Sequence, residues 1–251
     1  MSEAAVSTLQ ACLNGDRPVG AHPALPVTTQ QLVNDTVAVV ELGVTAVHLH
    51  PRNAAGAETL AAAEVATTVA AVRSVARGVE IGVTTGAWIE PDPARRAEFV
   101  AGWAGAAAGH PDVASVNVHE PGWRAVCAAL ADAGVGIELG VSDLAAASQL
   151  RAAGLPAGTV RVLAEVRPAE PEPALAEADR LVDALSWVDA VPVLLHGQDG
   201  GAWPVLAMAV ERGLPTRIGL EDVLHTPDGN PAADNPALVR AAITLASRTT
   251  R

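Results

Sequence analysis

The strongest constraint on the fold is a phase that repeats along the whole chain: a short run rich in Val and Ile, then a longer Ala-rich stretch of helical character. Eight such runs predict strands near Ser7–Leu13, Val44–Leu49, Val79–Thr84, Val113–Val118, Gly136–Leu139, Thr159–Glu165, Val191–Leu195 and Thr216–Leu220. Helices are expected between them near Gln30–Leu42, Glu58–Ala76, Pro93–Ala108, Arg124–Ala133, Ser142–Ala152, Pro173–Ala184, Ala202–Arg212 and Pro236–Ser247. Thr28 and Thr29 sit where the first helix should start and Pro93 opens the third, while Gly43, Gly134, Gly154 and Gly213 stand at expected helix ends. Eight βα units in series imply an α/β fold, a (β/α)8 TIM barrel in one domain over residues 1–251. A doubly wound open sheet gives the same alternation and is the structural alternative.

The content of the core agrees with a barrel. Half the residues are hydrophobic but only 2% are aromatic, so small and branched side chains must fill the interior. A formal charge of -12 argues against nucleic acid as a partner, because phosphate backbones call for clustered cations. No run approaches the ~20 apolar residues of a membrane span and no export signal opens the chain, so a soluble cytoplasmic protein is expected. Cys12 and Cys127 are isolated in sequence and are expected as buried free thiols. All 16 basic residues are arginine. Without lysine, carbon–carbon bond chemistry through a lysine imine is excluded, and a metal or another electron sink would have to replace it.

Polar residues gather at the carboxyl ends of the expected strands, the end where barrels carry their active sites. These are Asn14, His48 with His50, Thr84 with Thr85, Asn117 with Glu120, Glu138, Glu165, His196, and Glu221 with Asp222. Residues two apart on a strand share a face, so His48 and His50 can point together into the mouth and offer two imidazoles to one divalent ion such as zinc. The bland reading is a hydrogen-bonded pair that plugs the barrel top. On the eighth strand the same period places Arg217, Gly219 and Glu221 inward and turns Asp222 into the following loop. Glu221 is the candidate third ligand, and Asp222 beside Arg217 is a candidate base; a structural salt bridge is the alternative. The Thr84-Thr85-Gly86 turn suits a carboxylate, and Asn117 and Glu138 could contact substrate or merely satisfy backbone groups. His119, His196 and His225 carry less weight, because no spacing directs them to a metal. Trp123 and Trp203 are expected chiefly as helix-to-barrel packing. The Gly197–Gly201 stretch after strand seven is a candidate phosphate loop.

These segments together resemble the β-keto acid cleavage enzymes, a family that includes the 3-keto-5-aminohexanoate cleavage enzymes. The resemblance rests on Asn14-Gly15, His22–Thr28, Ala46–Arg52 with its His-Leu-His, Thr84-Thr85-Gly86, Ala114–Asn117, Gly136–Glu138, Arg217–Asp222, Pro227-Asp228-Gly229 and Asn235. It implies a barrel with a bound Zn2+ held by His48, His50 and Glu221, and acetyl-CoA as co-substrate. It further implies Asp222 as base supported by Arg217, with Thr84 or Thr85, Asn117 and Asn14 holding a small β-keto acid and Glu138 lining the pocket. Acetoacetate and a new acyl-CoA would be the products, and a homo-oligomer is expected. Val223 and His225 depart from residues common in the family, and Arg17 stands where some members carry an acid that meets an amino-bearing substrate. On that ground 3-keto-5-aminohexanoate is not the expected substrate, and Arg17 would suit a neutral or anionic group. Competing readings are a metal-dependent hydrolase or aldolase-type lyase on the same barrel, and a non-catalytic ligand-binding barrel.

Overall fold

A computed structural model describes residues 9–249. Eight parallel strands alternate with helices in chain order: β1 (Leu9–Cys12), α1 (Thr29–Val40), β2 (Ala46–Leu49), α2 (Ala62–Val75), β3 (Glu80–Thr84), α3 (Pro93–Ala101), β4 (Val113–Asn117) and α4 (Trp123–Ala133). Then follow β5 (Gly136–Val141), α5 (Leu144–Ala153), β6 (Thr159–Val166), α6 (Pro171–Ala184), β7 (Val193–Gly197), α7 (Ala202–Glu211), β8 (Thr216–Ile218) and α8 (Asn235–Thr249). The sheet runs in sequence order from β1 to β7, with β8 on the other side of β1. Between β7 and β8, Leu195 N donates to Pro215 O at 2.9 Å and Thr216 Oγ1 donates to Leu195 O at 2.8 Å, which draws the two ends together. The result is a nearly closed (β/α)8 TIM barrel. Among the described residues, no helix is long and apolar enough to cross a membrane.

Strand alternation separates two layers. The outward set includes Ala11, Val47, Leu49, Ile81, Val83, Val116, Ile137, Leu139, Leu195 and Ile218, all buried beneath the helices. The inward set is mostly polar or small: Gln10 and Cys12 on β1, His48 on β2, Gly82 and Thr84 on β3, Ser115 and Asn117 on β4, Glu138 and Gly140 on β5, Glu165 on β6, His196 on β7 and Arg217 on β8, with Leu163 and Leu194 as an apolar pair between β6 and β7. Burying that many polar groups is costly unless they pair, so the barrel interior rather than the helical shell carries the chemical demand.

Helix ends follow local rules where the sequence supplies them. Thr28 and Gln31 form a reciprocal capping box on α1, and Asp92 caps α3 with Pro93 in its first turn. Asp143 accepts from Ala146 N at 2.7 Å to cap α5. Some expected boundaries move. The second helix begins at Ala62 and not Glu58, because residues 51–61 fold back on themselves and carry Glu58 towards β2. The third helix stops at Ala101 and continues as two short 3-10 turns among Gly102, Gly105 and Gly109. Ser7 and Thr8 of the expected first strand lie outside the described residues. β8 ends at Ile218 because the chain turns at Gly219, where a Cβ would stand 1.8 Å from Cys12 O.

Candidate active site

His48 and His50 leave β2 on one face, with their Nε2 atoms 3.1 Å apart. Glu221 reaches them from the turn after β8, its Oε2 lying 3.9 Å from His48 Nε2 and 3.8 Å from His50 Nε2. Gly15 makes room for that carboxylate: a side chain there would meet Glu221 Cγ at 2.4 Å, and the backbone at Gly15 has φ +56. One ligand atom from each of the three residues falls within 4.8 Å of the others. Ligand atoms about 2.0–2.2 Å from a tetrahedral zinc are roughly 3.3–3.6 Å apart, so the donor set and its spacing fit such an ion. Two of its polar atoms, His48 Nδ1 and Glu221 Oε2, are buried with no hydrogen-bond partner in the protein.

The surroundings hold these ligands in place. His50 Nδ1 lies 2.5 Å from Glu58 Oε1, which fixes the ring and leaves Nε2 facing Glu221. The other oxygen of Glu58 accepts from Trp88 Nε1 at 3.1 Å, and the Trp88 ring stacks on His50 with centroids 6.2 Å apart. Asn14 clasps the backbone of His50 from both sides, donating from Nδ2 to His50 O at 2.9 Å and accepting from His50 N at 2.8 Å. Burial first, and then His50 beside it, lowers the pKa of His48 to about 3, so its imidazole is neutral and keeps a lone pair for a cation.

Arg217 Nη2 donates to Glu221 Oε1 and to Asp222 Oδ1, each at 2.8 Å. Asp222 does not turn away into solvent. It is 1% exposed, its carboxylate drawn inward by Arg217, with His196 Nδ1 3.6 Å from Oδ1. Burial raises its pKa, but Arg217 and His196 outweigh burial and hold the carboxyl below its ordinary range. Glu221 goes the other way: burial lifts it more than Arg217 lowers it. His196 is the residue that sequence reasoning undervalued. It pairs in register with Glu165, sits between the Glu165 and Asp222 carboxylates, and has a raised pKa because they offset its burial and the push of Arg217.

His48, His50, Trp88, Arg217 and Glu221 line a cavity of about 280 Å3 at the carboxyl end of the strands, and the buried Asp222 and His196 stand behind that lining. Thr84 and Asn117 face it, as do Ser115, Glu120, Glu165, His119, Arg167 and Asp16. Other expected site residues lie beside it. Thr85 Oγ1 is committed to Ser115 O at 2.6 Å, and Asn14 to His50. Glu138 sits one layer below, bonded to Arg161 and accepting from Gln10 Nε2 at 3.3 Å. Arg17 is turned to the outside, where it donates to Asp199 Oδ1 at 2.6 Å and to the carbonyls of Glu221 and Asp222. The Gly197–Gly201 stretch forms a short 3-10 turn that presents the Asp199 carboxylate to Arg17. Glu58 is the functional neighbour whose sequence position gave no signal.

A two-histidine, one-carboxylate cluster at the mouth of a (β/α)8 barrel, with a buried Asp–Arg pair beside it, defines a barrel with a candidate metal centre. The sequence model of the beta-keto acid cleavage enzyme family matches residues 8–251, and the chain belongs to that family. Among solved structures, ObcA in a binary complex with oxaloacetate superposes with a TM-score of 0.68 at 14% identity, covering 88% of this chain and 63% of that one. This chain thus spans less than two thirds of the ObcA length. ObcA in a ternary complex with a C4-CoA adduct and oxalate gives a TM-score of 0.67 at 14% identity, over 88% of this chain and 63% of that chain. The 3-dehydroquinate dehydratase from Geobacillus kaustophilus HTA426 gives 0.64 at 13% identity, over 97% of this chain and 92% of that one. At these identities the likeness establishes the barrel. Comparison with curated protein sequences gives no match.

Proposed function

We propose that the protein is a zinc-dependent acyltransferase that converts a β-keto acid and acetyl-CoA into acetoacetate and the acyl-CoA of the remaining chain. The observation that carries this reading is the convergence of His48, His50 and Glu221 on one point, with the ionised Asp222 alongside. Family membership supports the substrate class, and the oxaloacetate and C4-CoA adduct bound by ObcA are consistent with a keto acid and a CoA ester meeting at such a mouth. Zinc bound by the three ligands would supply a fixed positive charge for the keto and carboxylate oxygens of the substrate.

The chain's own groups divide the remaining work. Asp222 takes the proton from the carbon between keto and carboxylate groups, a role supported by its Oδ2, which is buried beside the metal ligands with no hydrogen-bond partner in the protein. Arg217 keeps that carboxylate charged and aimed. Thr84 Oγ1 and Asn117 hold the substrate carboxylate and chain from the opposite wall. The deprotonated carbon adds to the acetyl carbonyl and the acetyl thioester bond breaks; the freed CoA sulfur bonds to the original keto carbon, the old carbon–carbon bond breaks to leave the acyl-CoA, and the departing acetoacetate carbon takes back the proton held by Asp222. Glu138, below the cavity, acts through Arg161 and Gln10 on the barrel floor rather than on the substrate.

Incubating purified protein with a panel of β-keto acids, with and without acetyl-CoA, tests the reading. Acetoacetate and a matching acyl-CoA should form only when acetyl-CoA is present. Turnover without it would instead indicate a hydrolase or lyase, and no turnover with any acid would leave a ligand-binding barrel.

A further inference from the structure

The candidate metal ligands come from two strands that are not neighbours: His48 and His50 belong to the end of β2 and Glu221 follows β8, with β1 between them. The loop that leaves β1 ties the two sides together. On the β2 side Asn14 clasps the backbone of His50, and Arg52, which follows that histidine in sequence, donates from Nη2 to Gly15 O at 2.9 Å and to Arg17 O at 2.7 Å. On the β8 side the tie is Arg17, whose Nε donates to Glu221 O at 3.1 Å and whose Nη2 donates to Asp222 O at 3.3 Å. The turn that bears both carboxylates closes on Gly219 O, which accepts from Asp222 N at 2.9 Å and Val223 N at 3.0 Å, so the carbonyls of Glu221 and Asp222 need donors from elsewhere. Among the described residues no backbone N–H reaches Glu221 O, and Arg17 is its donor. Arg17 is itself held. Asp199 Oδ1 accepts from its Nη2 at 2.6 Å, and Asp199 N donates to Asp222 O at 2.7 Å, so one residue anchors the guanidinium and shares its carbonyl. Asp199 does this at φ +47, the one non-glycine position with left-handed backbone among the described residues, a conformation that persists where the surroundings impose it. Asp16 borders the cavity, whereas Arg17 lies behind the ligand turn.

We infer that Arg17 is a positioning residue: by holding the carbonyls of Glu221 and Asp222 it sets the distance between the histidine pair and the two carboxylates, and it does not meet the substrate. This departs from the place expected for Arg17 beside a neutral or anionic group of the acid. The role rests on the proposed metal-dependent reaction for what Glu221 and Asp222 do, while the tie is defined by backbone geometry alone. A ligand and a base that serve one reacting centre must be held to within about 0.5 Å, and the partners behind them decide whether they are. The planar fork of a guanidinium spans two adjacent carbonyls and a carboxylate at once, which an ammonium on a flexible stem does less well.

The test compares Arg17→Met and Arg17→Lys with the wild type as full chains, each checked for folding by thermal melting. Zinc affinity of the metal-freed protein is read by competition with a chromogenic chelator. Cleavage is read at saturating zinc with acetyl-CoA and either 3-oxohexanoate, which has a neutral tail, or 3-oxoadipate, which ends in a second carboxylate. Arg17→Met should bind zinc about 10- to 100-fold more weakly and lose kcat by about the same factor, with KM moved by less than about threefold, for both acids alike. Arg17→Lys keeps the charge but not the fork, and should bind zinc about three- to tenfold more weakly, which decides the matter if Arg17→Met does not fold. Wild-type zinc affinity in the folded variants, or a loss confined to KM for 3-oxoadipate, would overturn the role given to Arg17 and leave the proposed reaction standing. A wild type that cleaves no β-keto acid while its zinc affinity still depends on Arg17 would do the reverse.

Discussion

Two charged layers are stacked inside one barrel, and they are finished differently. In the lower layer Arg161 bridges Glu80 and Glu138 while Gln10 donates to Glu138, leaving no buried side-chain nitrogen or oxygen of these residues unpartnered among those described. In the upper layer His48 Nδ1, both ring nitrogens of His196, Arg217 Nε, Glu221 Oε2 and Asp222 Oδ2 are buried without a hydrogen-bond partner. Unpaired polar atoms in a low-dielectric interior are expensive, so a fold retains them where something other than the protein is to meet them. The lower layer holds the barrel's shape, and the upper layer is the part shaped for a ligand.

Substitution should separate the layers. The largest effect belongs to the upper one: Asp222→Asn is expected to lower kcat for β-keto acid cleavage by about 100- to 10,000-fold, as loss of a positioned base does, with little change in melting temperature. A comparable fall in melting temperature would make Asp222 a structural residue. The next largest is in the lower layer. Arg161→Met leaves the buried Glu138 carboxylate without its cation, with only Gln10 still donating to it, and should cost about 3–5 kcal/mol in denaturant unfolding, whereas Arg161→Met with Glu138→Gln should recover much of it. If the single variant were as stable as wild type, the floor would not be the brace described.

The fold was legible because alternation of period two and helical stretches recur through the whole chain, and this pattern needs no knowledge of distant partners. Its errors fall where tertiary contacts override local pattern: at Gly219, pressed against Cys12 O, and at Glu58, drawn out of a helix by His50 and Trp88. The same rule divides the site. His48 and His50 could be paired from spacing alone. The inward turn of Asp222, the meeting of Glu165 with Asn117 above Gly140, and the Gln10–Glu138 bond depend on how strands separated by many residues are staggered, which no local window contains.

Two smaller effects sharpen the contrast. Glu58→Gln removes the carboxylate that orients His50, and a loss of about 10- to 100-fold in zinc affinity is expected, with activity restored by excess metal. Activity that excess metal cannot restore would place Glu58 in the chemistry itself. The last effect is pH-dependent stability of the metal-free protein. His48 has a pKa of about 3 when folded and an ordinary value of 6.5, so the unfolded chain binds the extra proton between them. That contribution is complete above about 6.5 and is lost as pH falls towards 3, with a slope approaching ~1.4 kcal/mol per pH unit. His48→Gln should remove this slope, and an unchanged slope would show that the imidazole is not held neutral in the fold. Glu138, whose pKa Arg161 keeps low against the opposing effect of burial, adds a separate loss only below its unfolded value near 4.5.

The account depends above all on one divalent ion shared by His48, His50 and Glu221. Metal analysis of the purified wild type and of His50→Ala, each checked for intact folding by circular dichroism and thermal melting, addresses that directly. One equivalent of zinc in the wild type and almost none in a folded His50→Ala protein is the predicted result. A folded wild type that cleaves β-keto acids after complete removal of metal, or a His50→Ala protein that keeps a full equivalent, would contradict it.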